Sequence, residues 1–237
     1  MVVACYNETA VLERNVALIL KVLSMTKLDY EMIFVDDCSS DETVDIIKGL
    51  IKDRPHLKLI RHETNKGRGR TVADGIKQAE GKVVGFLDID LSTPPWYIPL
   101  FVSAIEEGTD VAVAHRVYKL NWKILHRWAL SRGYNLLVRL FLQVPMIDTE
   151  AGFKFFNREK ILPILDRIED EHWFWDTEIT VLSYLSGLSI RELPTVYIRY
   201  PELRSKVKIV QDVMRYIKNL FRFRRKIRNL PRRIVNA

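Results

Sequence analysis

Short apolar runs alternate with amphipathic segments along the first half of the chain. Apolar runs at 1–4, 31–35, 57–60, 82–87 and 110–114 have the length of buried strands. Apolar residues recur at helical spacing in segments 9–26 and 71–79, and Ser39, Ser40 and Asp41 offer cap residues for a helix that ends near Lys52. This alternation predicts an α/β fold in which a mostly parallel central sheet is flanked by helices.

The second half of the chain is richer in helical patterns. The sequence predicts a long helix over 122–142, a strand over 153–156, helices over 158–167 and 176–185, and a strand over 189–198. At 237 residues, of which 48% are hydrophobic, the chain can bury the core of one such domain. We expect one catalytic domain over residues 1–206 and a basic tail over residues 207–237.

The net charge of +7 is unevenly distributed. Basic residues crowd the segment 199–233, which has only two acidic residues, Glu202 and Asp212, whereas the rest of the chain is slightly acidic. A basic excess favours an anionic partner, which can be a nucleotide, a phospholipid surface or a nucleic acid.

Apolar residues are interleaved with the cations of the tail. They are Ile209, Val210, Val213, Ile217, Leu220, Phe221 and Phe223. A basic amphipathic helix of this kind is typical of segments that bind an anionic membrane surface. The alternative is a solvated basic helix. Segment 122–142 mixes tryptophan, arginine and apolar runs, which is typical of a helix half sunk in the headgroup region and also of a core helix.

No apolar run reaches the ~18 residues that a membrane-spanning helix needs, and no signal peptide precedes the first predicted strand. The two cysteines, Cys5 and Cys38, have no metal or redox spacing, so reduced thiols in a cytosolic compartment are the simpler interpretation. We therefore expect a peripheral protein on the cytoplasmic face of a membrane.

Polar residues follow four of the predicted strands. They are Tyr6-Asn7-Glu8, Asp36-Asp37-Cys38-Ser39, Asn65-Lys66-Gly67-Arg68-Gly69-Arg70 and Asp88-Ile89-Asp90. Each segment alone can be a turn or a helix cap. Because ligands of parallel α/β sheets bind beyond the carboxyl ends of the strands, four such segments together predict a binding crevice. Its acidic residues would repel nucleic acid.

Asp88 and Asp90 carry the most specific chemical signal. Side chains two residues apart on a strand project to the same side, so both carboxylates can bind one hard divalent cation, Mg²⁺ or Mn²⁺. By spacing alone, the same motif is also compatible with a simple turn at the end of a strand.

The glycines of segment 65–70 let backbone N–H groups approach an anion, and its three cations can reach phosphate. The segment lacks the glycine spacings of dinucleotide-binding and P-loop motifs.

Six segments follow one another in a characteristic order: Tyr6-Asn7-Glu8, Asp36-Asp37-Cys38-Ser39-Ser40-Asp41, Asn65-Lys66-Gly67-Arg68-Gly69, Asp88-Ile89-Asp90, Asp148-Thr149-Glu150-Ala151-Gly152-Phe153-Lys154 and Trp175-Asp176-Thr177-Glu178. The series resembles family 2 glycosyltransferases over about residues 2–206, and within them the polyprenyl-phosphate (dolichyl-phosphate) mannosyl- and glucosyltransferases. The resemblance implies a GT-A fold, a nucleotide-sugar donor such as UDP-glucose or GDP-mannose, a Mg²⁺ or Mn²⁺ ion, inversion at the anomeric carbon and a lipid phosphate acceptor.

The resemblance also implies roles for individual residues of the donor site. The residues implied in nucleotide-sugar binding are Tyr6, Asn7, Glu8, Asp36, Asp37, Lys66, Gly67, Arg68 and Asp88. Asp88 and Asp90 become metal ligands, and Asp90 is also a catalytic candidate. Ser92 stands where the mannosyl branch often has a glutamine ligand, so it is a further candidate ligand.

For the acceptor phosphate, the resemblance implies Arg116, expected just after the fifth strand, together with Arg127 and Arg132. Paired guanidinium donors suit a phosphate, although Arg127 and Arg132 are also compatible with solvated helix charges. Lys154 and Glu178 are further acceptor candidates. Trp173 and Trp175 suit either a sugar face or the core.

Asp148 occupies the position of the catalytic base in relatives that use hydroxyl acceptors. A phosphate acceptor is mostly dianionic at neutral pH and hardly needs a base, so we expect Asp148 to orient the acceptor, the sugar or Lys154. Two alternatives remain: transfer to a saccharide hydroxyl with Asp148 as the base, and a nucleotide-sugar or phospholipid binding module without turnover.

Overall fold

The computed structural model describes residues 1–118, 125–198 and 209–228, with side chains throughout except at residues 125–131 and 209–213. The strands are β1 (Val2–Cys5), β2 (Met32–Asp36), β3 (Leu57–Arg61), β4 (Val83–Leu87), β5 (Val111–Tyr118), β6 (Phe153–Asn157) and β7 (Ile190–Tyr197). The helices are α1 (Leu12–Met25), α2 (Thr43–Ile51), α3 (Arg68–Gln78), α4 (Ile98–Glu106), α5 (Leu125–Leu142), α6 (Arg158–Leu165), α7 (Trp175–Leu185) and α8 (Ile209–Arg228).

The strands form one sheet in the order β3-β2-β1-β4-β6-β5-β7. β6 runs antiparallel to both of its neighbours, and the other adjacent pairs are parallel. The predicted α/β architecture with a mostly parallel sheet is therefore confirmed. Because β1, β2, β3 and β4 run in the same direction, their carboxyl ends open onto the same edge, as the polar segments predicted.

Alternate residues of each central strand enter opposite cores. Val2 and Ile33 pack on the face covered by α3, α5, α6, α7 and α8, whereas Val3 and Phe34 pack on the face covered by α1, α2 and α4. The two-residue period of a strand accounts for this division, since every second side chain points the same way. The result is a sheet between two helical layers.

Two elements differ from the sequence prediction. β5 extends to Tyr118 because it pairs with β7 along its whole length, so Arg116 lies within this strand, opposite Thr195, rather than after it. The pattern also missed α4, which follows a short 3-10 turn at Pro95–Tyr97 and buries Phe101.

α8 packs on the catalytic domain and is not a detached tail. Leu220, Phe223 and Ile227 are buried in the cluster that includes α7. The rings of Phe174 and Phe223 meet at a centroid distance of 5.8 Å. The predicted boundary at residue 206 therefore divides residues that share a core, although residues 199–208 and 229–237 lie outside the described part of the chain.

The basic character predicted for this helix is present on its outer side. Arg215, Lys218, Arg222 and Arg225 are exposed there. No helix among the described residues is both long and apolar enough to cross a membrane.

Candidate active site

An ion-pair chain crosses the carboxyl edge of the sheet. Arg68, the first residue of α3, donates to Asp88 Oδ1 from Nε at 2.9 Å and from Nη2 at 2.6 Å, and to Asp176 Oδ2 from Nη1 at 2.5 Å. Asp176 Oδ1 accepts from Lys154 Nζ at 2.6 Å. The chain Asp88–Arg68–Asp176–Lys154 thereby connects β4, α3, α7 and β6.

Aromatic rings surround this chain. The Arg68 guanidinium lies between the rings of Phe86 and Trp173, at 5.5 and 5.2 Å from their centroids. Trp175 is buried against Phe86. Trp175 is therefore a core residue, whereas the ring of Trp173 makes a cation–π contact with Arg68.

Charge and burial compete within the chain. Burial lowers the pKa of Lys154, and the carboxylate of Asp176 opposes this. Burial also raises the pKa of Asp88, as do Asp90 and Asp176, against the opposing effect of Arg68. Removing one member would leave a partner charged and desolvated, which is costly.

Asp88 and Asp90 form an oxygen-rich pair at the end of β4. The hydrogen bonds from Arg68 go to Asp88 Oδ1, and Oδ2 lies over Gly152, where an added Cβ would collide with it. Asp90 accepts from the backbone N–H and the hydroxyl of Ser92, both at 2.9 Å. Ser92 therefore fixes the orientation of Asp90, and this contact replaces the ligand role predicted for its hydroxyl.

The donor set of this pair fits a hard divalent ion such as Mg²⁺ or Mn²⁺, because both ligands are carboxylates and Asp90 is close enough to raise the pKa of Asp88. Gly152 leaves the space that the Asp88 carboxylate occupies. No three His, Cys, Asp or Glu side chains within the described ranges are grouped so that they alone would hold a metal. Diphosphate oxygens and water would have to complete the coordination shell, as is common for Mg²⁺.

The two acidic residues at the end of β2 have different environments. Asp36 is fully buried, and its Oδ1 has no hydrogen-bond partner within the described part of the chain. Asp37 accepts from the N–H groups of Lys66 and Gly67 at 2.8 and 2.9 Å and contacts His62 Nδ1 at 2.8 Å. Asp37 therefore supports the glycine loop, whereas Asp36 has a buried acceptor atom without a partner among the described residues.

The glycine loop leads directly into α3. Gly67 has φ of 96°, and a Cβ there would collide with His172, so both backbone conformation and space require glycine. The Lys66 ammonium is partly exposed, 3.9 Å from Asp74. The phosphate contact predicted for Arg68 is corrected, since Asp88 and Asp176 already engage its guanidinium.

The segment after β1 completes this side of the crevice. Asn7 has φ of 53° and its Oδ1 accepts from Ser40 N at 2.9 Å, so it ties the first polar segment to the second. The Glu8 N–H donates to Thr43 Oγ1 at 2.8 Å, and the Glu8 carbonyl accepts from the start of α1. Tyr6 is 41% exposed.

Arg116 on β5 and Asp148 form a second ion pair. Arg116 donates from Nε to Asp148 Oδ2 at 2.7 Å and from Nη2 to Oδ1 at 2.8 Å, and its backbone N–H donates to Oδ2 at 3.2 Å. Burial by itself raises the pKa of Asp148, but the Arg116 guanidinium outweighs it and holds this pKa below its usual value. Asp148 is thus a buried, ionised and weakly basic carboxylate.

Two carboxylates that the sequence analysis did not single out adjoin this pair. Glu150 Oε2 lies 3.3 Å from Arg116 Nη2, and burial raises the pKa of Glu150 to about 7. Glu192 on β7 accepts from the N–H groups of Ile147 and Asp148, at 2.9 and 2.8 Å on Oε1. Asp176 likewise had no individual role in the sequence prediction. All three carboxylates take part in hydrogen bonds or ion pairs between distant segments, and the local sequence pattern does not show such pairing.

The remaining acceptor candidates are distributed differently from the prediction. Lys154 is fully buried, and its ammonium donates to Ala151 O and to Asp176, so in this structure it supports the site from beneath and is not exposed to the crevice. Glu178 is buried and accepts from the N–H groups of Glu169 and Asp170, so it braces that loop instead. Arg132 lies half-buried on α5. The side chain of Arg127 lies outside the described residues.

An exposed apolar strip lies on α5 and α8. Its members, named here the α5–α8 seam, are Leu136, Leu137, Leu140, Met214, Ile217 and Phe221, and each is at least 39% exposed. The helices touch where the rings of Phe141 and Phe221 lie 4.8 Å apart. A groove of about 410 Å³ runs along α5 at this strip.

The mostly parallel sheet, the acidic strand ends and the paired carboxylates define a GT-A nucleotide-sugar transferase. The profile described as glycosyl transferase family 2 matches residues 1–164, and the chain belongs to this family.

Three curated relatives share this segment. Glycosyltransferase AglD of Haloferax volcanii is 31% identical over 219 residues, which are 90% of this chain and 35% of AglD. Dolichyl-phosphate beta-glucosyltransferase of Saccharomyces cerevisiae is 28% identical over 246 residues, 93% of this chain and 72% of the yeast protein. Dolichol-phosphate mannosyltransferase of Pyrococcus furiosus is 33% identical over 169 residues, 68% of this chain and 46% of that protein. The chain thus spans about a third of AglD.

Among solved structures, glucosyl-3-phosphoglycerate synthase from Mycobacterium tuberculosis has the same fold. The crystal structure with Mn²⁺, uridine diphosphate and glucosyl-3-phosphoglycerate superposes with a TM-score of 0.69 at 18% identity, over 94% of this chain and 78% of that one. The structure with uridine diphosphate alone gives a TM-score of 0.71 at 18% identity, with the same coverage. This likeness confirms the predicted GT-A fold.

Proposed function

We propose that this glycosyltransferase moves a hexose from a nucleotide sugar to a polyprenyl or dolichyl phosphate, with inversion at the anomeric carbon and with a divalent metal ion. The observation that carries the proposal is the Arg116–Asp148 ion pair. It keeps the carboxylate at the usual base position ionised and weakly basic. A base of this kind suits an acceptor that is already ionised better than one that must lose a proton.

The donor occupies the edge formed by β1, β2 and β4. Tyr6 lines the exposed side of this edge, and Asp36, whose buried Oδ1 has no partner in the described residues, lies behind it as the candidate acceptor for a nucleobase N–H. Lys66 reaches the phosphates from the glycine loop. The yeast and Pyrococcus relatives are named for glucose and mannose transfer, and the longer alignment with the yeast protein favours UDP-glucose over GDP-mannose.

Asp88 and Asp90 would hold the metal ion, whose charge stabilises the nucleoside diphosphate as it departs. Arg68 and Ser92 keep the two carboxylates oriented, through the contacts to Asp88 and Asp90. Asp176 and Lys154 fix Arg68 in turn. The ion-pair chain therefore contributes a preorganised metal site rather than a direct contact with phosphate.

The acceptor phosphate approaches from the side of Arg116. Its guanidinium attracts the dianion, and the ion pair with Asp148 fixes where that charge points. A phosphate oxygen then attacks the anomeric carbon, the bond from that carbon to the nucleoside diphosphate breaks, and no proton needs to be removed. Arg127 and Arg132 on α5 are the further acceptor candidates.

The α5–α8 seam faces the lipid. Its apolar side chains enter the membrane surface while Arg215, Lys218 and Arg222 contact anionic headgroups. This arrangement would bring the membrane close to Arg116 without a spanning helix in the described part of the chain.

A donor screen tests the proposal. The protein is incubated with polyprenyl phosphate and either UDP-glucose or GDP-mannose, with Mg²⁺, with Mn²⁺ or with a chelator, and the lipid products are identified by mass spectrometry. We expect a hexosyl phosphoryl polyprenol from UDP-glucose that disappears on chelation. A hexosylated lipid formed equally well with the chelator would contradict the metal requirement.

A further inference from the structure

Glu150 lies at the open side of the Arg116–Asp148 ion pair. Its Oε2 is 3.3 Å from Arg116 Nη2, and its backbone N–H donates to Asp148 Oδ1 at 3.2 Å. The Glu150 side chain is 20% exposed, compared with 5% for Asp148. Of the two described carboxylates that contact Arg116, Glu150 makes the longer contact and has the more exposed side chain.

Among the described residues, two carboxylates already contact the Arg116 guanidinium, Asp148 and Glu150. The negative charge of Asp176 also acts on Glu150 and raises its pKa. A metal ion at Asp88 and Asp90 would serve the donor diphosphate. An acceptor phosphate beside Arg116 would bring up to two further negative charges next to Asp148 and Glu150, and such crowding of like charges is unfavourable.

Neutralising one of the two carboxylates relieves this crowding when the phosphate shares Arg116. Asp148 is unsuited to take up a proton, because Arg116 holds its pKa below the usual value. Five hydrogen bonds also fix its side chain and backbone. The pKa of Glu150 is raised to about 7, first by burial and then by Asp148 and Asp176, against the opposing effect of Arg116.

The groups that face Glu150 come from several elements. They are Arg116 on β5, Asp148 in its own loop, Asp176 on α7, Tyr134 on α5 and Tyr216 on α8. The pKa values of Tyr134 and Tyr216 are raised well above the usual range, chiefly by burial, so both phenols stay neutral near pH 7. Glu150 is therefore the group of this set that changes charge in the neutral range.

We propose that Glu150 takes up a proton from solvent when the acceptor phosphate binds, and that its carboxyl O–H then donates a hydrogen bond to a phosphate oxygen beside Arg116. This inference rests on the proposed function. Protonation of Glu150 removes one negative charge beside the phosphate and provides a hydrogen-bond donor. Asp148 stays ionised and orients Arg116. No covalent bond of the protein forms or breaks.

The consequence is a characteristic pH profile. For the wild-type protein, kcat/KM for the acceptor rises as the phosphate becomes dianionic near its second pKa of about 6. It then falls by up to about tenfold per pH unit above the pKa of free Glu150, since the proton must be recruited from an increasingly basic solvent. In Glu150→Gln the amide N–H donates at every pH, so the rising limb stays and the falling limb disappears.

Calorimetry on the full chain tests the inference without turnover. Citronellyl phosphate, a short water-soluble prenyl phosphate, is titrated at pH 8 in two buffers that differ in ionisation enthalpy. The difference gives the number of protons taken up. We expect about one proton per ligand for the wild-type protein and none for Glu150→Gln. Glu107→Gln, an exposed carboxylate paired with Arg191, is the matched control and should behave as the wild type.

The possible results distinguish the role of Glu150 from the proposed acceptor class. Binding by the wild-type protein without proton uptake, or equal uptake by Glu150→Gln, would overturn the role of Glu150 and leave the proposed function intact. No binding of the phosphate by either protein, with melting temperatures unchanged, would overturn the acceptor class and the inference with it.

Discussion

Arg116 donates hydrogen bonds to both carboxylate oxygens of Asp148, from Nε at 2.7 Å and from Nη2 at 2.8 Å. The pair fixes the direction of the guanidinium and lowers the pKa of the carboxylate. Both consequences favour a reaction in which the protein positions a charged nucleophile rather than one in which it removes a proton.

The Arg116–Asp148 pair predicts a pH-dependent contribution to stability. Because the pKa of Asp148 is lowered in the folded state, its stabilisation is fully present above the unfolded value of about 3.9. It is lost as the pH falls through the lower, folded value. We expect Asp148→Asn to reduce the free energy of unfolding by about 3 kcal/mol at pH 7, with a smaller deficit at pH 3.

Urea unfolding at the two pH values measures this deficit. The control is Asp45→Asn, in an exposed pair with Lys48, which should change the free energy of unfolding by less than about 0.5 kcal/mol. An Asp148→Asn deficit of equal size at pH 3 and pH 7 would show that ionisation of Asp148 does not contribute.

The ion-pair chain predicts that Asp176 is a stability determinant. Asp176→Asn leaves the fully buried Lys154 ammonium and the Arg68 guanidinium without their shared carboxylate. The cost should be about 3 kcal/mol, or a fall in Tm of roughly 6–12 °C for a chain of this length. Asp166→Asn, in an exposed pair with Lys77, serves as control and should leave Tm unchanged. Equal Tm values for the two variants would refute the importance of the chain.

Gly152 predicts a steric test of the metal site. A Cβ at this position would collide with Asp88 and come within 2.9 Å of Arg68 Nη2, so Gly152→Ala should displace the Asp88 carboxylate. We expect Mn²⁺-dependent binding of UDP-glucose to weaken at least about tenfold by calorimetry, a loss of about 1.4 kcal/mol. Gly49→Ala, which meets no atom within 4 Å, should bind as the wild type.

The two carboxylates at the end of β4 predict a shared dependence on metal. Asp88→Asn and Asp90→Asn should each lose the increase in donor affinity that Mn²⁺ gives the wild-type protein, because a neutral amide is a poorer ligand for a hard cation. Donor binding is measured with Mn²⁺ and with a chelator. A full metal effect in either variant would remove that residue from the ligand set.

The α5–α8 seam predicts membrane binding that is separable from folding. Leu140 and Met214 are 70% and 65% exposed, so the double change Leu140→Ser and Met214→Ser should leave Tm nearly unchanged. Binding to anionic phosphatidylglycerol vesicles should fall at least about tenfold, since each buried side chain contributes about 1.5 kcal/mol. Met25→Ser, at an equally exposed apolar position on α1, is the control in co-sedimentation. Undiminished binding by the double variant would assign the contact to another surface.

The elements along the first half of the chain could be predicted from sequence because each is encoded locally. The runs that become β1 and β4 are uninterrupted and apolar, and polar residues mark the ends of both strands. The helix α4 was missed because Pro99 and a mixed apolar pattern gave no clear start or polar face. The extension of β5 depends on pairing with β7, which no local pattern shows.

The candidate site was predictable in position but not in connectivity. The motif placed Asp88 and Asp90 at the sheet edge, yet Arg68 reaches Asp176 across 108 residues of sequence. Lys154 and Glu178 looked accessible in the motif, whereas tertiary packing buries both. The contact of Glu150 with Arg116, which already pairs with Asp148, likewise depends on tertiary structure. The contacts between the site residues therefore depend on long-range ion pairing, which a local sequence pattern does not predict.

A competition between two acceptor classes tests the central claim most directly. Labelled UDP-glucose and Mn²⁺ are supplied with equal concentrations of polyprenyl phosphate and a saccharide acceptor, and the products are resolved by mass spectrometry. The account predicts that hexose appears on the lipid phosphate, and that Asp148→Asn raises KM for the lipid more than it lowers kcat. Hexose found only on the saccharide, together with a loss in kcat of about 10³-fold in Asp148→Asn, would contradict it and identify Asp148 as a general base.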